Sequence, residues 1–350
     1  MTPFLKDTDP EPWNIYARVL TSLGSVNFAM KILVTGGCGY KGSVLVPMLL
    51  NDGHHVVSVD TQWFGNTLPD HPRLLNLKLD VRDTNKIPME GIEVIVHLAN
   101  IANDPAVELN PSLSWDVNVL AGQQLASEAV RNGVAQFIFA SSGSVYGIKN
   151  EPKVTEDLPL VPISVYNKTK MVAERVFLSY ADQMQVHCIR PATVCGVSPR
   201  MRLDVSVNML THQALSNGRI SVFGGLQTRP NIHIQDISNV YRHFIAIRSL
   251  PSGCYNAGFE NISIGEIANY VSDYIGAEVV TSDSNDPRSY RQNSDKLLAT
   301  GFKPMHSVKE AIKEIAEAYR AGLYREDDTC FTVKWMRQLS LDRDSKSELG

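Results

Sequence analysis

From residue 31 onward, apolar residues recur in short blocks separated by longer segments of helical period. KILVT (31–35), HVVSV (55–59), LLNLKL (74–79), EVIVHL (93–98), QFIFA (136–140) and VHCIR (186–190) read as strands. Most are Val and Ile runs without clean alternation, the pattern of strands covered on both faces. Helical patterns fall between them near 41–51, 112–131 and 166–184. Strand and helix in turn predict an α/β fold with a doubly wound parallel sheet. After about residue 190, Gly, Pro and Arg become frequent, as in RPATVCGVSPRMRLD and VFGGLQTRPNIHIQD. Helical patterns follow near 204–217, 235–250, 263–275 and 307–322. The expected organisation is an N-terminal arm (1–29), a main lobe (30–190), a smaller lobe (191–325) and a C-terminal tail (326–350) with a mobile end.

Composition narrows the function classes. The 350 residues are 43% hydrophobic and 20% charged, which suits a soluble globular chain with one large core or two lobes. A formal net charge of −4 gives no reason to expect nucleic acid or an acidic membrane as partner. No apolar run reaches the roughly 18 residues of a membrane span. Residues 1–29 carry Asp7, Asp9 and Glu11 and lack the apolar core of a secretory signal. Cys38, Cys188, Cys195, Cys254 and Cys330 are scattered, and no His-x-x-x-His or Cys-x-x-Cys occurs. Reduced thiols, no metal and a cytoplasmic compartment are therefore expected.

Gly36, Gly39 and Gly42 are spaced Gly-x-x-Gly-x-x-Gly between the first strand and the first helix. There they allow a tight turn and let backbone N–H groups approach a pyrophosphate at a helix N-terminus. A purely structural turn is the plainer alternative. Asp60 ends the second strand at about the 20-residue interval of an acid that binds adenosine ribose hydroxyls. A carboxylate there repels a 2′-phosphate and favours NAD over NADP, while Lys41 inside the loop pulls the other way. A solvated loop acid is the alternative for Asp60.

Ser142 follows the fifth strand in FIFASSGSVYG, at the edge where open α/β sheets bind ligands. In SVYNKTKMVAE, Tyr166 and Lys170 are four apart and share a helix face. Alone the pair is close to chance. A phenol, with an ordinary pKa near 10, needs a neighbouring ammonium to act as a base near neutrality. Ser142 could hydrogen-bond the developing oxyanion.

Taken together, TGGCGYKG, LDVRD, HLAN, SSGSVYG, YNKTK and RPATVCG, spread over about residues 30–325, resemble the extended short-chain dehydrogenase/reductases. Within that group the chain is similar to the NAD-dependent sugar-nucleotide epimerase/dehydratase family. The resemblance implies a Rossmann-like domain with a smaller substrate-binding lobe. Gly36, Gly39 and Gly42 would hold the NAD pyrophosphate, with Tyr40 and Lys41 in the same cofactor loop. Asp60 would bind the adenosine ribose, Asp80 and Val81 would border the adenine, and Ala99 and Pro191 would lie along the cofactor. Ser142, Tyr166 and Lys170 would be catalytic, with Lys170 also on the nicotinamide ribose. Asn208, Arg229 and Arg288 would hold the diphosphate of a nucleotide sugar, with Arg200 and Arg202 as further candidates.

Three positions depart from the family pattern. Dehydratases of the family carry an Asp-Glu pair where Gly143 and Ser144 stand, which disfavours dehydration. Cys195 replaces a Tyr of the pocket wall, and Lys41 replaces an apolar loop residue, which leaves the sugar open. The expected chemistry is 4-epimerisation of a nucleotide-diphosphate sugar through a 4-keto intermediate. Dehydrogenation or 4-ketoreduction without epimerisation comes next, and a catalytically silent NAD-binding regulator is the reading from another class. The helices near 112–131 and 166–184 have broad apolar faces. In the family the matching pair forms a homodimer, although both could simply cover the sheet.

Overall fold

Seven parallel strands form the central sheet in the order β10-β6-β5-β4-β1-β2-β3. They are β1 (Lys31–Thr35), β2 (His55–Asp60), β3 (Leu74–Lys78), β4 (Val94–His97), β5 (Gln136–Ala140), β6 (Gln185–Pro191) and β10 (Gly253–Ala257). The computed structural model describes residues 29–283, 289–324 and 326–340. The expected arm up to residue 28 and the last residues of the tail lie outside the described residues.

Alternating side chains of each strand feed two separate cores. Leu33, Val57, Ile95, Phe137 and Phe139 pack on one face, against Leu125 of α2 (Ala121–Arg131) and Ala173 and Phe177 of α3 (Val165–Leu178). Ile32, Val34, Val56, Val94, Val96 and Ile138 pack on the other. Their partners there are Leu45 and Leu49 of α1 (Gly42–Asn51) and Val240, Tyr241 and Phe244 of α5 (Ile234–Ala246). Burial on both faces explains why these strands read as continuous apolar runs.

Two elements of this layer come from beyond residue 190. Strand β10 and helix α5 return from the second segment to complete the main sheet, so the two lobes are not divided at one point along the chain. GCYNA has little β-branched character. It is a strand because it lies at the sheet edge in register with β6, Cys254 opposite Cys188 and Asn256 opposite Arg190. The smaller lobe holds β7 (Thr193–Cys195), β9 (Thr228–His233) and β11 (Glu260–Ser263) in one sheet, and β8 (Arg219–Phe223) and β12 (Glu278–Ser282) in another. Helices α4 (Ser206–Asn217), α6 (Ile264–Ile275) and α7 (Val308–Arg320) share its core.

Three differences from the expected elements bear on the site. The helix expected over 112–131 is broken by a π turn, Asp116–Leu120, a feature frequent at functional sites. Helix α3 stops at Leu178 rather than 184, where the N–H of Tyr180 donates to Phe177 in a tighter turn. The expected tail instead carries a short helix, α8 (Thr332–Gln338). Cys330 and Phe331 before it pack with Met201 and Leu203 of the smaller lobe, while Met336 joins the main-lobe core.

Two buried histidines make the fold acid-sensitive. His97 on β4 shares a hydrogen bond of 2.7 Å with Thr35 and sits among Phe137, Phe139 and Phe177. Burial, aided by the charge of Lys170, pushes its pKa down to about 3. Burial likewise pushes His187 down to about 4. Both are neutral when folded but protonate below about 6.5 when unfolded. Their contribution is intact above that pH and is lost as pH falls toward the folded values, by about 1.4 kcal/mol per pH unit for each group. Denaturant unfolding at a series of pH values should show this slope, and His97→Gln should flatten it. An unchanged slope in His97→Gln would contradict this account.

Candidate active site

A cavity of about 540 Å³ opens at the carboxyl ends of β1, β2, β4, β5 and β6. The strand order reverses between β1 and β4, so this is the switch point where open α/β sheets take ligands. Gly36, Gly39, Tyr40, Lys41, Gly42, Asp60, Asp80, Val81, Ala99, Ser142, Tyr166, Lys170 and Pro191 all line it.

The glycine loop is shaped by close packing. Gly36 has φ +73°, and a Cβ there would lie 2.6 Å from the backbone nitrogen of Ala99. A Cβ on Gly42 would lie 2.3 Å from the carbonyl oxygen of Gly36. The loop therefore folds back on itself at the start of α1. Among the described residues, the N–H groups of Tyr40, Lys41 and Gly42 find no hydrogen-bond partner. Free donors at a helix N-terminus suit a pyrophosphate. Asp60 accepts the N–H of Cys38 at 3.0 Å and of Gln62 at 2.7 Å, which fixes its carboxylate at the cavity edge. Burial raises its pKa, and the two N–H donors oppose that rise.

At the other end stand Ser142, Tyr166 and Lys170. The Ser142 hydroxyl is 2.8 Å from that of Ser144, which donates to Asn167 at 2.5 Å. Ser164 caps α3 by accepting from the N–H of Asn167, setting Tyr166 in the first turn. Lys170 is buried, donates to the carbonyl of Ala140 at 2.7 Å and lies 4.7 Å from the centroid of the Phe139 ring. Its nitrogen is 5.9 Å from the centroid of the Tyr166 ring. Burial and the charge of Lys41 hold the Lys170 pKa well below the ordinary value. Burial pushes the Tyr166 phenol up to about 12, against the lowering effect of the nearby Ser142 hydroxyl. The lowering influences on the phenol come from Ser142 and the charge of Arg202, not from Lys170 as expected, and burial outweighs them.

Beneath these residues lies a buried ion pair. Glu174, one turn after Lys170, takes two bonds from Arg190 of β6, at 2.9 and 2.8 Å, and a third from Ser141 at 2.5 Å. Arg190 also donates to Tyr146, which donates to Asn256 of β10.

The model of the NAD dependent epimerase/dehydratase family matches residues 32–258. The chain belongs to that family. A UDP-glucose 4-epimerase from Mycolicibacterium smegmatis is 32% identical over 318 residues, 83% of this chain and 99% of that protein. A UDP-glucose 4-epimerase from Corynebacterium glutamicum is 28% identical over 322 residues, 84% and 97% of the two chains. The solved structure of MoeE5 in complex with UDP-glucuronic acid and NAD matches with a TM-score of 0.74 at 28% identity, over 83% of this chain and 99% of that one. Members of the family are NAD-dependent enzymes acting on sugar nucleotides. The free N–H groups of the glycine loop and the Asp60 carboxylate fit such a cofactor.

The nucleotide-sugar candidates are placed differently. Asn208 is fully buried and does not line the cavity. Its amide binds the N–H of Gly196 at 3.0 Å, the hydroxyl of Tyr40 at 3.0 Å and the carbonyl of Arg202 at 2.9 Å. Arg229 lies half-buried on β9 and is not one of the lining residues, and Arg288 lies outside the described residues. Arg200 and Arg202, lower-ranked from sequence, do line the cavity.

Sequence reasoning missed Asn118, in the π turn. Its side chain holds both backbone groups of Ile101 and the hydroxyl of Thr169, which precedes Lys170. Nothing local marks an Asn for this role, since its partners lie 17 and 51 residues away. Trp63, Phe64, Thr332 and Met336 of the lining were missed as well.

Gly42→Ala should weaken NAD binding at least tenfold, because its Cβ must displace the Gly36 carbonyl and open the loop. Calorimetric titration of the purified variant checks this, and parental affinity would show that the loop tolerates the methyl group.

Proposed function

We propose that the protein is an NAD-dependent nucleotide-diphosphate sugar 4-epimerase working through a 4-keto intermediate. Positions 143 and 144 carry this reading. They hold Gly and Ser where dehydratases of the family hold an acidic pair, and the Ser144 hydroxyl is bonded to Ser142 and Asn167. No carboxylate stands there to drive loss of water. Asp104 lines the same cavity, but its carboxylate accepts from Ser164 at 2.5 Å. The likeness to UDP-glucose 4-epimerases over most of the chain supports the same reading.

Tyr166, as phenolate, takes the proton of the sugar C4 hydroxyl at its phenolic oxygen. Ser142 donates a hydrogen bond to that sugar oxygen as carbonyl character develops. Lys170, locked by Ala140, adds positive charge beside the phenolate and presents its remaining donors to the cofactor ribose. NAD, when bound, supplies the carbon that accepts and returns hydride. Return to the opposite face of the ketone gives the 4-epimer, and Tyr166 returns the proton. The raised phenol pKa means that turnover should increase with pH across the neutral range, where more phenolate forms.

A homodimer belongs to the same proposal. Leu120 is exposed at the edge of the α2–α3 pair, and Val172 and Val176 of α3 pack on the core while remaining half-buried. Sedimentation should give twice the chain mass, and a monomer would contradict this assignment.

Activity is tested with a panel of UDP-, GDP-, CDP- and dTDP-sugars. Epimerisation returns the hydride, so the expected result is a new sugar isomer without net NADH. Net NADH with an oxidised product would assign a dehydrogenase instead. NAD binding with no turnover of any sugar would favour the silent regulator. Tyr166→Phe should lower turnover by roughly 10²- to 10⁴-fold with NAD affinity unchanged.

A further inference from the structure

We propose that Arg200, positioned by the C-terminal helix α8, grips the diphosphate of the adenosine half of the cofactor, so that α8 forms part of the dinucleotide site.

Arg200 is 6% exposed and lines the cavity. Its guanidinium lies 4.0 Å from the centroid of the Phe64 ring. Phe64 closely follows Asp60, and both line the same end of the cavity. One guanidinium nitrogen, Nη2, donates to the Thr332 hydroxyl of α8 at 3.4 Å. Its Nε is buried and has no hydrogen-bond partner among the described residues. Among the described residues no carboxylate lies within ion-pair distance of it, although Arg202 beside it is paired with Asp204 at 2.8 Å. Burial, with the charge of Arg202, brings the Arg200 pKa down to about 10. A buried cation with an unused donor and no counterion is unfavourable alone and favourable beside an anion. The planar fork matches phosphate oxygens in pairs.

Location selects between the two diphosphates that this family's site can hold. The charge of Arg200 bears on Asp60, at the ribose-binding edge. The charge of Arg202 bears on Tyr166, toward the catalytic end. Its stacking on Phe64, four residues past Asp60, therefore places Arg200 at the dinucleotide end of the cavity, whereas Arg202 is held by Asp204.

Helix α8 holds this geometry from both sides. The backbone N–H of Thr332 donates to Asp204 at 3.0 Å, and the Trp335 indole donates to the carbonyl of Trp63 at 2.5 Å. Helix α8 lies beyond residues 32–258, the stretch that the family model matches.

The inference rests on the cofactor reading, and the test separates the two. Calorimetry on the full chain with NAD, with ADP-ribose and with UDP compares the parent, Arg200→Gln and Thr332→Val. The expected result is NAD and ADP-ribose binding weakened roughly 10- to 100-fold in Arg200→Gln, a smaller loss in the same direction in Thr332→Val, and UDP affinity within about twofold. NAD and ADP-ribose affinities unchanged in Arg200→Gln would overturn it, as would a larger loss for UDP than for ADP-ribose. Should Arg200→Gln melt well below the parent, Thr332→Val decides, since it keeps the guanidinium; unchanged NAD affinity there overturns the role of α8. A parent chain that binds no NAD would remove the cofactor reading itself.

Discussion

The Glu174–Arg190 pair is the interaction on which the rest of the site depends. It is nearly fully buried, and both oxygens of the carboxylate are used: two bonds from Arg190, one from Ser141 and one from the Cys254 thiol. Burying two charges is costly, and the cost is offset only when geometry and hydrogen bonding are complete. Here they are complete, and the pair joins three separate chain segments. Glu174 is on α3, one turn past Lys170. Ser141 precedes Ser142, and Arg190 precedes Pro191 of the cavity wall. Through Tyr146 and Asn256 the same network reaches β10, so the edge strand from the second segment is tied to α3.

A second seam sets the distance across the cavity. The Tyr40 hydroxyl donates to the carbonyl of Gly196, and the Asn208 amide binds both of them. Ser43 and Ser198 share a bond of 2.8 Å beside it. The glycine loop is thereby fastened directly to the loop that leads to Arg200 and Arg202. A residue expected on the substrate, Asn208, instead holds the two walls together, and the two arginines that follow Gly196 come to face the cavity. Positive charge from Lys41, Lys170, Arg200 and Arg202 is gathered along this cavity, where Lys41 lowers the pKa of Lys170 and Arg202 lowers those of Lys41 and Arg200. An anionic ligand relieves that repulsion.

Much of this was legible from the residues in order. The six strands from β1 to β6 were readable because burial on both faces forces continuous apolar runs. The cofactor loop was readable because its glycines are close in sequence and lie between a strand and a helix. Ser142, Tyr166 and Lys170 were readable only jointly, from the order in which they follow those elements. Strand β10 and helix α8 were not. Neither has a strong local pattern: β10 is held by register with β6, and α8 is a short segment stabilised at both ends by distant partners. Asn118 was illegible for the same reason.

The sequence by itself determined the sheet, the glycine loop and which hydroxyls are the candidates for the chemistry, because each is encoded by contacts or periodicities within a few residues. Tertiary structure alone decided how those groups are tuned and what closes the site. Burial, which no local pattern reports, raises the phenol of Tyr166 to about 12 against the expected influence of Lys170. Contacts between positions as far apart as Arg200 and Thr332, or Trp63 and Trp335, bring the last helix onto the cavity wall beside Asp60 and Phe64. Such contacts depend on the whole chain being packed, so they have no signature in any single stretch of it.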